Sequence, residues 1–306
     1  MNTQVLIDGD PIVYRIGYAN QTKYQHCVLE GPAGELQPHR FENKTDRNTW
    51  LREHPGWEIV SEEEEVIPKP IANALAGVKR LLGEILEESG SRDYHLILSD
   101  SFGGGNFRHA IAKQAPYKGN RKQPRPYHYQ NIRDYMVEQW DATIVETREA
   151  DDELSIRARR YRNQGIPYVI ATIDKDLDQI PGKHYDYARK VVYDVTPAEA
   201  QRMFWIQALM GDMTDNIPGC WKIGPTKAAE LVDAWVADGM DDKTIFSKIR
   251  DKYRDSKKHS ECPYRDKEAL DVAIETAQLV YLQQKPGELW APPGVPFGRI
   301  GSDADD

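Results

Sequence analysis

Glu149-Ala150-Asp151-Asp152-Glu153 and Val169-Ile170-Ala171-Thr172-Ile173-Asp174-Lys175-Asp176-Leu177-Asp178 decide how the chain reads. The first stretch starts a helical pattern, with Leu154, Ile156 and Ala158 set among arginines, and acids in a first helical turn are favoured by the macrodipole. The second is a β-branched and aliphatic run that ends abruptly in carboxylates, the pattern of a buried strand with acids at its C-terminal tip. One crossover apart, a helix start and a strand end can converge on one point. Carboxylates gathered there repel and do not all ionise unless cations lie between them. Mg²⁺ or Mn²⁺ meets that need, because these hard ions take carboxylate oxygens and keep waters. The plainer reading is a capping acid cluster beside a solvated loop.

Two further apolar runs end the same way: Val5-Leu6-Ile7-Asp8-Gly9-Asp10 and His95-Leu96-Ile97-Leu98-Ser99-Asp100. Three strands tipped by Asp8, Asp100 and Asp174, with helices between them, predict a mostly parallel α/β sheet flanked by helices. Ligands of such sheets collect at the carboxyl ends of the strands, where these acids fall. The helical spacing of Ile71, Leu75, Val78, Leu82 and Ile85 predicts a helix over 71–88. Tyr24 to Leu29 and Glu35 to Arg40 predict a hairpin, 43–53 a short helix, and Glu62 to Glu65 a solvated face or edge. No chemistry is assigned to 20–68.

Between Ser101 and Arg133 there is no acid, yet seven bases occur: Arg108, Lys113, Lys118, Arg121, Lys122, Arg125 and Arg133. Phe102, Phe107, Tyr117, Tyr127 and Tyr129 are interleaved with them. In a chain of net charge −9 this is a local reversal, suited to phosphates and stacked bases. Gly103-Gly104-Gly105, Pro116, Pro124 and Pro126 make part of it loop-like; the plainer alternative is a solvated basic loop. Beyond it the pattern predicts a helix over 127–139, a strand over 142–145, an extended 183–195, and a helix from Thr196-Pro197 with Thr as N-cap. That helix stops at Gly211-Asp212-Met213-Thr214-Asp215-Asn216-Ile217-Pro218-Gly219, and Ile223-Gly224-Pro225-Thr226-Lys227-Ala228 begins another. Backbone N–H groups at that start are a ready phosphate site; a plain packing joint is the alternative. Helical segments at about 242–253 and 266–283 follow, and the tail from Pro286 is expected to be peripheral.

The length of 306 residues allows one large α/β domain or a domain with a helical appendage, and 40% hydrophobic residues can build a core. No apolar run reaches membrane-spanning length, and the N-terminus lacks a secretory pattern. Cys27, Cys220 and Cys262 show no metal spacing, so a reducing cytoplasm is expected.

The ordered set Ile7-Asp8-Gly9, Ser99-Asp100, Tyr117-Lys118-Gly119-Asn120-Arg121, Glu149-Ala150-Asp151-Asp152, Asp174-Lys175-Asp176 and Gly211 to Gly219 resembles the 5′-nuclease superfamily over about residues 4–235. That group includes flap endonucleases, the 5′–3′ exonuclease domain of bacterial DNA polymerase I and stand-alone phage exonucleases, and the chain is most similar to the last. The resemblance implies a PIN-like core with a helical arch at about 101–133, together spanning 1–195. It implies a helical region over 196–285 that carries a helix–two-turn–helix at about 211–235, before a tail at 286–306. It implies a metal cluster of Asp8, Asp100, Glu149, Asp151, Asp152, Asp174, Asp176, Asp212 and Asp215 holding two Mg²⁺ or Mn²⁺ ions, some of the acids, notably Asp152, acting through metal-bound water. It further implies that Lys118 and Arg121 touch the scissile phosphate, that Tyr117 stacks on a base, and that Lys113, Lys122 and Arg125 meet DNA. Lys222, Gly224 and Lys227 would hold duplex phosphates, with a K⁺ ion in the hairpin. Lys222 departs from the glycine common there and adds a cation.

The implied activity is 5′–3′ exonuclease or flap endonuclease action on DNA, by a monomer in the cytoplasm of a bacterial or phage-infected cell. Water attack on a phosphodiester needs an activated nucleophile and neutralised phosphoryl oxygens, which two metals supply. Removal of RNA primers from RNA–DNA hybrids is a close alternative. A PIN-like ribonuclease is a further one, counted against by the arch and the hairpin. A non-catalytic junction binder gains nothing from carboxylates facing phosphate.

Overall fold

The computed structural model describes residues 2–100 and 105–299. In β1 (Gln4–Asp8) Val5, Leu6 and Ile7 are fully buried, as a strand covered on both faces requires. α1 (Asp10–Ala19) follows, then β2 (Gln21–Glu30), β3 (Leu36–Phe41), α2 (Lys44–Glu53) and β4 (Glu58–Pro68). α3 (Ile71–Glu88) leads to β5 (Asp93–Ser99), and beyond it come the short α4 (Arg108–Ile111), α5 (Tyr129–Trp140) and β6 (Thr143–Val145). α6 (Ala150–Gln164) and β7 (Tyr168–Thr172) precede a 3₁₀ turn at Lys175–Gln179 and the hairpin β8 (Gly182–Asp186) and β9 (Val191–Val195). α7 (Pro197–Met210) has Thr196 as N-cap and a capping box closed by Glu199. The bridge β10 (Gly211–Asp212) with β11 (Ile217–Pro218) leads to α8 (Pro225–Ala237), α9 (Asp242–Ser256) and α10 (Ala269–Val280). β12 (Glu288–Leu289) and β13 (Gly298–Arg299) close the described chain. Among the described residues no helix is long and apolar enough to cross a membrane.

The chain forms two compact units. One comprises Met1–Pro11, Glu84–Gln123 and Asp141–Asp306. Its six-stranded sheet runs β6-β5-β1-β7-β8-β9, parallel except for β9 on β8. Ile7 pairs with both Leu96 and Ala171, so the acid-bearing ends of β1, β5 and β7 lie along one edge. α6 covers the sheet through Leu154 and Ala158, packed with Leu6, Ile97 and Ile170. A second core joins α7 to α10 around Trp205, Ile249 and Tyr253. Trp290 enters that core, with ring centroids 5.2 Å from Phe246 and 5.6 Å from Phe204. Trp290 therefore fills a helical core, although the tail from Pro286 was expected to be peripheral.

The other unit comprises Ile12–Gly83 and Pro124–Trp140. Its antiparallel sheet β3-β2-β4 sits on α2 through Cys27, Leu29, Phe41, Trp50 and Trp57. The acidic run at 62–65 lies on β4, an edge strand whose residues are exposed, and charge on an edge discourages pairing with another chain. Gly17 lies where an added Cβ would be 2.6 Å from the Pro126 ring, which explains a glycine inside α1.

The expected helical arch is mostly not helical. Among its described residues before α5, α-helix is confined to α4. Pro116, Pro124 and Pro126 each remove a donor and clash with a preceding turn, and this outweighs the tendency to extend. Phe102, Gly103 and Gly104 lie outside the described residues.

Candidate active site and nucleic-acid interface

The strand-tip acids meet at the carboxyl edge of the parallel sheet. Asp8 is 2% exposed; its Oδ2 accepts from Thr172 Oγ1 at 2.9 Å, and its buried Oδ1 has no hydrogen-bond partner among the described residues. Asp10 accepts from the Ser99 backbone N–H at 3.1 Å. Asp174 accepts from the Asp176 N–H at 2.9 Å, and Asp176 from Gln207 Nε2 at 2.6 Å. Asp212 accepts from the Thr214 N–H at 2.7 Å. Asp100 stands at the end of β5, its N–H donating to the Val145 carbonyl at 2.9 Å.

Electrostatics link these separate segments. Burial raises the pKa of Asp8, and the charges of Asp10 and Asp174 add to it. Burial likewise raises Asp151, reinforced by Asp8, Asp174 and Glu149. Asp174 is raised by burial and by Asp215, and Asp212 by burial and Asp215. Asp176 is pushed up to about 7 by burial and by Asp174, Asp212, Asp215 and Asp178. The Asp174 charge thus raises Asp8, Asp151, Asp176 and Asp212 alike, the signature of carboxylates sharing one site.

The donor set consists of hard oxygens, one of them an orphaned buried carboxylate oxygen, so it fits divalent cations. Among the described residues no three of these groups stand close enough to grip one ion. The acids converge as a negative field, without forming a closed cage.

A cationic pair closes the other side. Lys118 Nζ sits on Glu149 Oε1 and lies 3.6 Å from Asp215 Oδ2; Arg121 Nη2 is 2.5 Å from Asp215 Oδ1. Burial alone would raise Glu149, but Lys118 and Arg108 outweigh it and hold the carboxyl down at about 2. The Tyr117 hydroxyl lies 2.6 Å from Glu149 and 2.7 Å from Asp215. It has one proton to donate, so a nearby cation is needed to hold both carboxylates. Lys118 adopts φ +56°, a left-handed conformation that costs a non-glycine residue about 1 kcal/mol. That turn is bolted to 212–216: Lys118 N–H donates to the Asp215 carbonyl at 2.8 Å, Asn120 to Met213 at 2.7 Å, and Asn216 to Pro116 at 2.8 Å.

Three expectations change. Asp152, expected among the metal acids, is fully buried and committed to Arg108 by a two-pronged ion pair of 2.6 and 2.9 Å. Tyr117, expected to stack on a base, is 4% exposed with its hydroxyl between two acids. Arg108 and Arg133, counted among the phosphate-facing bases, are 3% and 1% exposed. Lys113, Arg121, Lys122, Arg125 and Tyr127 remain open to solvent. Arg125 lies 4.6 Å above the Tyr129 ring. In the hairpin before α8, Gly224 is the N-cap with open space beside it, and Lys227 is exposed. Lys222, at φ +61°, makes an exposed 3.6 Å ion pair with Glu261, a kind of contact worth little. Sequence reasoning passed over Thr172 and Gln207, which donate to Asp8 and Asp176. Thr172, a hydroxyl two residues before the strand-tip Asp174, was the one legible signal.

The elevated acids carry a stability consequence with a definite sign. A folded pKa above the unfolded one contributes stability that is full below the unfolded value and lost as pH rises through the folded value. For Asp176 that window runs from about 4 to about 7. In EDTA, Asp176→Asn, which keeps an acceptor for Gln207, is expected to melt several degrees above wild type at pH 8, on the order of 1–3 kcal/mol. The gap should close by pH 5. Thermal scans at the two pH values check this, and equal midpoints at pH 8 would contradict it.

Residues 68–204 match the family described as 5′-3′ exonuclease, N-terminal resolvase-like domain. The chain is 29% identical over 180 residues to DNA polymerase I of Bacillus caldotenax, covering 52% of this chain and 20% of that protein. It is 35% identical over 95 residues to the thermostable DNA polymerase I of Thermus thermophilus, covering 28% and 11%. It spans about a fifth or less of the length of these curated relatives. Among solved structures, the phage T5 5′-exonuclease with bound zinc superposes with TM-score 0.53 at 12% identity, over 91% of this chain and 89% of that one. A phage T5 flap endonuclease in a pseudo-enzyme–product complex with DNA and metal ions superposes with TM-score 0.52 at 14% identity, over 90% and 89%. At such identities the likeness is one of fold.

Proposed function

We propose that the chain is a member of the 5′-nuclease superfamily, as its match over residues 68–204 supports, and a divalent-metal-dependent 5′ nuclease that hydrolyses DNA phosphodiesters from 5′ ends or flaps. Buried and half-buried acids that destabilise one another and face a pair of cations suit metal-assisted attack on an anionic substrate.

Asp8, Asp151, Asp174, Asp176 and Asp212, with Asp100, Glu149 and Asp215 beside them, would hold the ions, and the count of carboxylates suits two Mg²⁺ or Mn²⁺. Such ions supply an activated water and neutralise phosphoryl oxygens. Thr172 and Gln207 orient Asp8 and Asp176 by donating to them, as outer partners of ligating carboxylates do. Lys118 and Arg121 are the cations that meet the reacting phosphate, stabilising charge that grows in the transition state. Lys113, Lys122 and Arg125, exposed on the same stretch of chain, contact the strand through phosphates.

The hairpin before α8 holds the duplex. Its open Gly224 cap exposes N–H groups at the N-terminus of a 13-residue helix, a place where phosphate binds well, and Lys222 and Lys227 add charge. Lys222→Ala with Lys227→Ala is therefore expected to weaken duplex binding and flatten its salt slope by up to about one unit per lost contact. Cleavage at saturating enzyme and single-strand binding should stay near normal. Affinity measured against salt checks this, and an unaltered duplex slope would make the hairpin a packing joint.

The substrate is tested by digesting nicked, flapped, blunt and RNA–DNA hybrid duplexes in Mg²⁺. Faster release from DNA 5′ ends or flaps than from hybrids supports the reading. Cleavage confined to the RNA strand would replace it with primer removal.

A further inference from the structure

We infer that Arg108 is a positioning residue that sets Glu149 through Asp152, and that Asp152 is part of this strut and not a metal ligand. The inference rests on the metal-site reading above and assigns a role to two buried groups that reading leaves without one.

The geometry is specific. Arg108 Nη1 and Nη2 fork onto the two oxygens of Asp152 at 2.6 and 2.9 Å. Nε donates to the Leu279 carbonyl at 2.8 Å, and Nη2 also reaches the Tyr281 carbonyl at 2.9 Å. Nη1 lies 3.5 Å from Glu149 Oε2. Asp152 receives two backbone N–H groups besides, from Gln283 at 3.0 Å and Glu149 at 3.2 Å. The last is half of the capping box that starts α6, with Glu149 as N-cap. Arg108 thus ties three segments together: the start of the basic stretch, the first turn of α6, and the chain leaving α10.

Two physical points raise this above an ordinary ion pair. A buried charge pair contributes little net stability and can often be replaced by apolar residues without loss, so its presence calls for another role. The pair's contacts run to the backbone N–H and the carboxylate of Glu149, the residue that also carries Lys118. A guanidinium fork fixes direction as well as charge, which a lysine cannot do. Both Asp152 oxygens are already engaged, and the residue is 0% exposed, leaving it no face for an ion.

The decisive variant is Arg108→Lys, read by Mn²⁺ binding to the full chain, with free Mn²⁺ followed by electron paramagnetic resonance and folding by the thermal midpoint. With the strut loosened, Mn²⁺ affinity is expected to fall about 10-fold or more, as when outer partners of metal ligands are changed. If Asp152 were itself a ligand, loosening Arg108 would free its oxygens and leave Mn²⁺ binding unchanged or tighter, and that result overturns the inference.

Arg108→Met with Asp152→Leu covers the case in which the lysine variant does not fold. Folded but weak in Mn²⁺, it supports the strut; folded with wild-type affinity, it overturns it. Failure of both variants to fold would also overturn it, by making the pair a requirement of the fold. A wild-type chain that binds no Mn²⁺ contradicts the metal-site reading itself, a result distinct from all of these.

Discussion

Asp174→Ala is expected to lose cleavage by a factor of at least about 10³, some 4 kcal/mol of barrier, while DNA binding in Ca²⁺ stays close to wild type. Asp174 follows β7 and is raised by burial and by the Asp215 charge. Its charge also raises Asp8, Asp151, Asp176 and Asp212. It raises four of the other carboxylates, so its removal takes away the centre of the negative field that would hold cations. The loss should fall on chemistry, because carboxylates facing phosphate contribute nothing to DNA affinity on their own. Asp151→Ala is expected to behave alike. Single-turnover cleavage and filter binding on the same preparation check this. Retention of more than about a tenth of the wild-type rate, only ~1.4 kcal/mol, would remove the residue from the metal site.

Lys118→Ala is expected to slow the saturated single-turnover rate by about 10²–10³ while weakening DNA binding only a few-fold. The side chain is 24% exposed and seated between Glu149 and Asp215. A cation held there meets a phosphate only where the chemistry occurs, so its interaction belongs mainly to the transition state. Its left-handed backbone and the bonds from 116–120 to 212–216 hold it in place before substrate arrives, which limits the entropy lost on reaction. Rates measured at rising enzyme concentration separate the two effects. An unchanged saturated rate with weaker affinity would make Lys118 a phosphate anchor.

The parallel sheet was legible because Val5 to Ile7, Leu96 to Leu98 and Val169 to Ala171 are unbroken apolar runs, the form a strand buried on both faces must take. Their acids mark the edge where they meet. β4 was less legible: its exposed acidic run carries no two-residue alternation, so nothing in the pattern separates an edge strand from a solvated loop. The short α4 and the turns around Pro116 and Pro124 defeated the expected arch because proline overrides neighbouring helix formers. Asp152 and Arg108 were misread for a different reason. They are 44 positions apart, and residue type alone cannot say whether a carboxylate faces a metal or a guanidinium. Tyr117 shows the same limit, since an aromatic among bases suits stacking until its hydroxyl is found between Glu149 and Asp215. Trp290 lies in a Pro/Gly-rich stretch, and only the packing reveals that it fills the α7–α10 core.

The most direct measurement is the time course of product length from one DNA duplex, labelled in parallel reactions at its 5′ or 3′ end, in Mg²⁺ and in EDTA. A metal-dependent 5′ nuclease releases the 5′ label first, as mononucleotides or short oligomers, while the 3′-labelled strand shortens stepwise or by one flap length. EDTA should stop both. Release of the 3′ label first, or equal cleavage in EDTA, would contradict the assignment of the acid cluster and its paired cations to metal-dependent hydrolysis from 5′ ends.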